Sequence, residues 1–361
     1  NYLAQLSSNK TILRSGENYY IGSEPDTLLG RELNFNSRSI YSGQLAGYFN
    51  IDKTNTKIDM QLGYGYALNN NPDIKRLRFS KQYNPLSESR EYRIIIPTSV
   101  VPYETGRLYL KLNEKIINYS LNLQQPFLFI NRNFLFNTGV AFEQKKRDFN
   151  ARNIGIRQAR SNSFRLNTFV PAEELFKDSN FYFNEGLVYG ESFNASNSYK
   201  ISANIIAYYA GAEIPVTKQF ILYGGLRTEY YNRVLSGFQE NPEIVPDITF
   251  DTVNFFPSVN AAYKIKEKHQ LRFSYGKTIN RPEFREIVPY AFVDFQKFAT
   301  IYGSDSLKNN YIHNYDLRYE FYPDKSDIIS VAFFYKKCYQ IAKKNLKRSV
   351  SYYFKILNVY L

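Results

Sequence analysis

Apolar side chains return at every second position along much of the chain. The clearest run is Ile58, Met60, Leu62, Tyr64, Tyr66 and Leu68, interleaved with Asp59, Gln61, Gly63, Gly65 and Ala67. A period of two gives an extended strand one apolar and one polar face. Tyr41, Leu45, Phe49 and Ile51 make a similar run just before it, and the polar stretch 52–57 between them predicts a hairpin turn. The pattern returns in Ile117, Tyr119, Leu121 and Leu123, in 134–146, in 199–214 paired with 220–229, in 259–265 with 271–275, and in 311–321 with 329–335. About ten long strands are predicted, more regular than the strands of an ordinary globular domain.

The connections alternate in length. Those after residues 51, 214, 265 and 322 are short, whereas 69–105, 147–198, 234–252 and 280–310 are long and rich in Asn, Ser, Pro and charge. Short turns on one rim and long loops on the other predict an all-β fold, an antiparallel transmembrane β-barrel. That fold places the long loops outside the cell and the short turns in the periplasm, in the outer membrane of a Gram-negative bacterium. The apolar face then meets lipid, the alternate face lines a lumen, and Tyr and Phe near the strand ends form interfacial girdles. A soluble sandwich would bury Val, Ile and Leu on that face and keep loops short at both ends.

Composition sharpens this picture. The 361 residues include 33 Tyr and 29 Phe but no Trp, and no apolar stretch is long enough to span a bilayer as a helix. The single cysteine, Cys338, leaves no internal disulfide and no cysteine-based metal cluster. A net charge of +13 favours anionic ligands or lipopolysaccharide phosphates at the outer rim. No basic run is tied to a nucleic-acid motif, so nucleic acid is not an expected partner. The chain starts at Asn1 without Met, which reads as a cut end.

Several strings resemble the TonB-dependent outer-membrane receptors of the Bacteroidetes type. They are Asn71-Pro-Asp-Ile-Lys-Arg76, Lys146-Arg-Asp-Phe-Asn-Ala-Arg152, Phe256-Pro-Ser-Val-Asn260, Leu271-Arg-Phe-Ser-Tyr-Gly-Lys-Thr-Ile-Asn-Arg-Pro-Glu-Phe-Arg-Glu286, Asn314-Tyr-Asp-Leu-Arg-Tyr-Glu320 and Ser330-Val-Ala-Phe-Phe-Tyr-Lys-Lys337, in the family's order and spacing. The resemblance implies import of a scarce nutrient (siderophore, glycan, peptide or vitamin) through a barrel of about 22 strands plugged by an N-terminal domain. It also implies the TonB complex as a partner acting through that plug. Nothing in these residues resembles the plug. A self-closed passive pore and a non-functional gene remnant are the alternatives. Residues 1–337 read as the partial receptor barrel. Residues 338–361, with no Asp or Glu, read as an atypical basic tail, either frameshifted or a diverged last strand.

An open sheet in hydrocarbon exposes unpaired N–H and C=O groups at both edges, each costing several kcal/mol. Such a sheet is expected to close on itself or pair with another polypeptide. No enzyme is predicted, because His269 falls in a short turn and His313 shares the outward parity of Tyr311 and Tyr315. No cofactor and no metal cluster are indicated. Candidate ligand contacts are Arg281, Glu283, Arg285 and Glu286 just above an ascending strand, with Tyr290, Phe292 and Phe295 in the following loop as rings that stack on a ligand or pack the loop. Asp316, Arg318 and Glu320 are expected to face the lumen on the next strand and to pair with the first set. Structural ion pairing along a wet wall is the commoner role for such groups.

Overall fold

The computed structural model describes residues 2–18, 26–159, 166–182, 186–192, 197–237, 247–288, 291–295, 299–304, 306–324, 327–339 and 350–357. For 2–18, 26–27, 237, 291, 293–294, 299–300, 302 and 350–357 it describes the backbone alone. The elements in chain order are β1 (Tyr2–Asn18), β2 (Asp26–Ile51), β3 (Thr56–Asn84), β4 (Ser89–Ile94), β5 (Gly106–Phe129), β6 (Arg132–Gln158), α1 (Ala172–Leu175), β7 (Leu187–Glu191), β8 (Ser198–Pro215), β9 (Phe220–Gly237), β10 (Ile248–Lys266), β11 (His269–Asn280), α2 (Phe284–Ile287), β12 (Ala291–Asp294), β13 (Ala299–Tyr302), β14 (Asn310–Phe321), β15 (Ile329–Tyr339) and β16 (Val350–Leu357).

Twelve strands follow one path, β1-β2-β3-β5-β6-β8-β9-β10-β11-β14-β15-β16, every neighbouring pair antiparallel. The path is open among the described residues, with β4 added to β3, β7 added to β6, and β12–β13 a separate hairpin. The predicted antiparallel partial barrel is therefore the architecture found.

Register carries the predicted alternation across the whole sheet. One row of directly opposed residues runs Leu45, Leu62, Tyr119, Phe142, Ile206, Tyr230 and Val253 through seven successive strands. A one-residue slip anywhere would send half of these rings and methyls to the other face. Leu45 is 71% exposed, Ile206 54% and Val253 55%, and large apolar groups bare in such a continuous band belong in lipid. The short-turn rim is tight. β5 and β6 are joined by Ile130 and Asn131 alone, at φ 48° and 54°. Two positive φ values make the type I′ geometry that suits twisted hairpins, and Ile130 adopts it against the preference of a β-branched residue.

Two expectations change. The segments 69–105 and 147–198 are not simply loops, because β3 runs on to Asn84 and pairs with β4, while β6 runs to Gln158 and pairs with β7. Beyond the bilayer, water or protein touches both faces, so the ladder continues after the alternation stops. Among the described residues the main path has twelve strands, since β1 and β16 join it without an alternation that marks them. Residues 337 and 338 both lie in β15, Cys338 opposite Ile312; of the tail, residues 340–349 and 358–361 lie outside the described residues.

The inner face is also less wet than alternation suggested. Phe149, Tyr199, Ile201, Tyr231 and Leu235 form a buried cluster on the outer half of that face, closed by Phe284, Ile287 and Val288 from the segment after β11. A second cluster, with Ile94, Ile156, Leu175 and Leu187, packs the extended hairpins and α1.

Candidate functional site

The connection from β11 to β14 folds back over the inner face as a strap. Its sequence places three apolar groups, Phe284, Ile287 and Val288, on and just after one turn of helix. The turn is secured by a reciprocal cap between Glu283 and Glu286, with the Glu283 N–H donating to Glu286 Oε2 at 2.9 Å. Ile287 is 1% exposed and Val288 fully buried, so the strap is anchored by burial of apolar surface. Farther along, the Ser304 N–H donates to the Glu286 carbonyl at 2.7 Å, and Gly303 lies so close that an added Cβ would stand 2.1 Å from the Val288 carbonyl oxygen.

Charge pins the strap at three places along the wall. At β9, Glu229 accepts from Arg281 at 2.6 Å and from Arg227 at 2.8 Å, and the Arg281 guanidinium lies 4.7 Å from the Tyr231 ring centroid. At β5 and β6, Glu114 accepts from Arg147 Nε at 2.6 Å with the Lys145 ammonium at 3.4 Å, and both cations sit about 5 Å from the Phe284 ring, at 5.1 and 5.2 Å. At β2 and β3, Arg76 donates to Glu32 at 2.6 Å, side chains only 8% and 4% exposed, and Phe295 packs 5.4 Å from the guanidinium. Phe295 also covers Gly30, where an added Cβ would meet its ring at 2.7 Å. Desolvated cation–ring contacts of this kind contribute about 2 kcal/mol each.

Beneath the strap, a cavity of about 630 Å³ includes Gln44, Gln61, Asn118, Glu143, Arg227 and Glu229 in its lining. It offers amide, carboxylate and guanidinium groups to a polar solute. Among the described residues no three His, Cys, Asp or Glu side chains gather as metal ligands.

The sequence-selected residues divide between two ends of the wall. Arg281 is a direct pin of the strap; Glu283 and Glu286 cap its helix; Arg285 stacks on Phe292 at 4.2 Å. Tyr290 lies outside the described residues. Asp316 faces inward opposite Ser274, and Arg318 bonds Glu320, which is buried beside Arg272 and Tyr322 at the short-turn end. The expected pairing of the two sets does not form: 281–286 lies beyond one end of β11, and Glu320 stands opposite Gln270 at the other. Sequence inspection missed Glu229, Glu114, Arg147, Glu32 and Arg76. Their signal was weak, charges at inward positions of otherwise ordinary strands.

With the open antiparallel sheet, its lipid-facing band and its strapped lumen described, the comparisons with known proteins fall into place. The model of the outer membrane protein beta-barrel family matches residues 172–353, half of the chain, and the chain belongs to that family. Its place is the outer membrane of a Gram-negative bacterium. No curated protein matches it. Similar solved structures include the ferric-catecholate import receptor Fiu of E. coli K12 in its closed form, at 12% identity and TM-score 0.44 over 97% of this chain and 60% of that one. The siderophore receptor PirA of Acinetobacter baumannii is similar at 12% identity and TM-score 0.49, over 92% and 43%. The copper transporter OprC is similar at 10% and 0.44, over 93% and 53%. The chain thus spans about half the length of these structures.

Proposed function

We propose that the chain forms wall and inner strap of an outer-membrane receptor that takes up a scarce nutrient in a TonB-dependent manner. The observation that carries this reading is the strap itself. A passive pore needs a continuous wet lumen, whereas here the outer half of the inner face is sealed by a buried apolar core and three charged pins. The ordered motifs of 256–286 and 314–337 support the same reading. Entry of solute to the polar cavity then requires the strap to shift, and work from the inner-membrane proton gradient, delivered through TonB and a plug, is a source of that shift. Siderophore, glycan, peptide and vitamin all suit the cavity's mixed polar lining.

The test is uptake by isogenic cells lacking this gene, lacking tonB, or neither, offered labelled ferric siderophores, oligosaccharides, peptides and cobalamin. The receptor reading expects at least one solute to fall to background in both deletion strains. Solute entry that needs this gene but not tonB would establish a passive pore and overturn it.

A further inference from the structure

We propose that the outer face of β5, β6 and β8, just above the lipid band, binds the phosphate groups of outer-leaflet lipopolysaccharide. Register sets Lys115 directly opposite Lys146, with Lys111 on the same face of β5 and Lys200 on the same face of β8. All four are exposed. Lys200 stands opposite Asp148, but like charges directly opposed across strands are destabilising, so the fold alone gives no reason for setting Lys115 against Lys146. A bound anion does. A cavity of about 680 Å³ includes Tyr66 and all four lysines in its lining, with Asp148 as its acidic member.

Height identifies the anion. Tyr66 shares the row of Lys115 and Lys146 and lies ten residues above Thr56, where β3 leaves the short turn. At about 3.4 Å per residue and a tilt near 45°, that is roughly 24 Å, and Lys115 and Lys146, each fourteen residues from the β5–β6 turn, stand at roughly 34 Å, so the patch begins at the edge of the ~25 Å apolar band of an outer-membrane barrel and rises above it. Two rows below stand Leu62, Tyr119 and Ile206, bare to lipid, with Phe142 half-buried among them. One ligand that offers phosphate at the upper level and acyl chains at the lower satisfies both. A free phosphate satisfies only the first. The proposal rests on the outer-membrane setting and not on the uptake reading, so tonB deletion leaves it untouched.

The test uses the purified full chain in phosphatidylcholine vesicles containing a tenth lipopolysaccharide, with bound glycolipid counted by native mass spectrometry. Replacing Lys111, Lys115, Lys146 and Lys200 by Gln should lower retention about tenfold or more. Replacing Lys264, Lys266 and Lys268 near the short-turn rim should leave it unchanged, and dephosphorylated lipopolysaccharide should bind both proteins weakly. Equal retention by the patch variant, or equal loss in the rim variant, would overturn the proposal. Should the fourfold change prevent folding, K115Q/K146Q suffices. It should raise the melting temperature in lipopolysaccharide-free micelles, by relief of repulsion, and shrink the increment gained on adding lipopolysaccharide. An undiminished increment would overturn the proposal equally.

Discussion

Arg281 joins two kinds of recognition in one side chain, an ion pair with Glu229 and a ring contact with Tyr231. Both partners sit on the inner face of β9, so the residue ties the strap to a strand two places away from β11 in the sheet. Removing it leaves Glu229 with Arg227 alone in a poorly solvated site. Arg281→Ala should therefore cost about 2 kcal/mol of strap docking, the range for a charge-assisted hydrogen bond to a partly buried partner. Arg281→Lys should recover only part, because an ammonium cannot present the planar fork that stacks on Tyr231. Protease cleavage within 281–309 checks this: the order of rates should be Ala above Lys above the natural protein, and equal rates would remove Arg281 from the strap's anchorage.

At the scale of elements, the strands were written plainly in the sequence only where lipid forces a choice of face. The β2–β3 hairpin follows its alternation from Tyr41 to Leu68 without a slip, because one wrong register would place polar groups in hydrocarbon. Above the bilayer that pressure ends, which is why the upper halves of β3 and β6 read as loops and are strands. β1 was illegible for a related reason: its text, Tyr2–Asn18, lacks a sustained period of two. The strap was half legible. Arg281 and Phe292 were selected for their chemistry, but Phe284, Ile287 and Val288 are too few to announce a helix, and their partners on β6, β8 and β9 are supplied by topology alone.

The upper strands carry their own electrostatics. Asp73 accepts two hydrogen bonds from Arg107, at 2.9 and 2.6 Å, tying β3 to β5 above the membrane. The guanidinium holds the Asp73 carboxyl below its ordinary value of 3.8, and Arg152 likewise holds Glu191 below 4.5. Carboxyls depressed in the folded state stabilise it fully above their ordinary values, and that contribution is lost as pH falls through the lower folded values. Hydrogen-exchange protection at 73–76 and 106–108 should accordingly be flat from pH 7 to 5 and decline below about 4. Asp73→Asn should lower the plateau and flatten the decline. A wild-type decline already complete at pH 5 would contradict the assignment.

On the scale of the molecule, the sheet meets lipid on one face and its own strap on the other. The outward row from Leu45 to Val253 accounts for solubility in the bilayer; the inner core accounts for the seating of the strap on the wall. Among the described residues the path ends at β1 and β16, and in hydrocarbon these edges need partners, by closure or from another polypeptide, because each unpaired backbone group costs several kcal/mol. The proposed uptake and the proposed lipid docking thus draw on separate surfaces of one sheet.

Everything said of gating depends on the strap lying across the inner wall in the membrane. The most direct measurement is cysteine cross-linking in native outer membranes, in a Cys338→Ser background, between Lys145→Cys on β6 and Phe284→Cys on the strap, where the natural ammonium lies 5.2 Å from the ring centroid. Tyr119→Cys with Phe142→Cys, opposed across β5 and β6 with rings 5.0 Å apart, reports the reactivity of a fixed pair. The account predicts that a short bismaleimide joins both pairs to similar extents. Efficient linkage of 119 to 142 with none of 145 to 284 would contradict it.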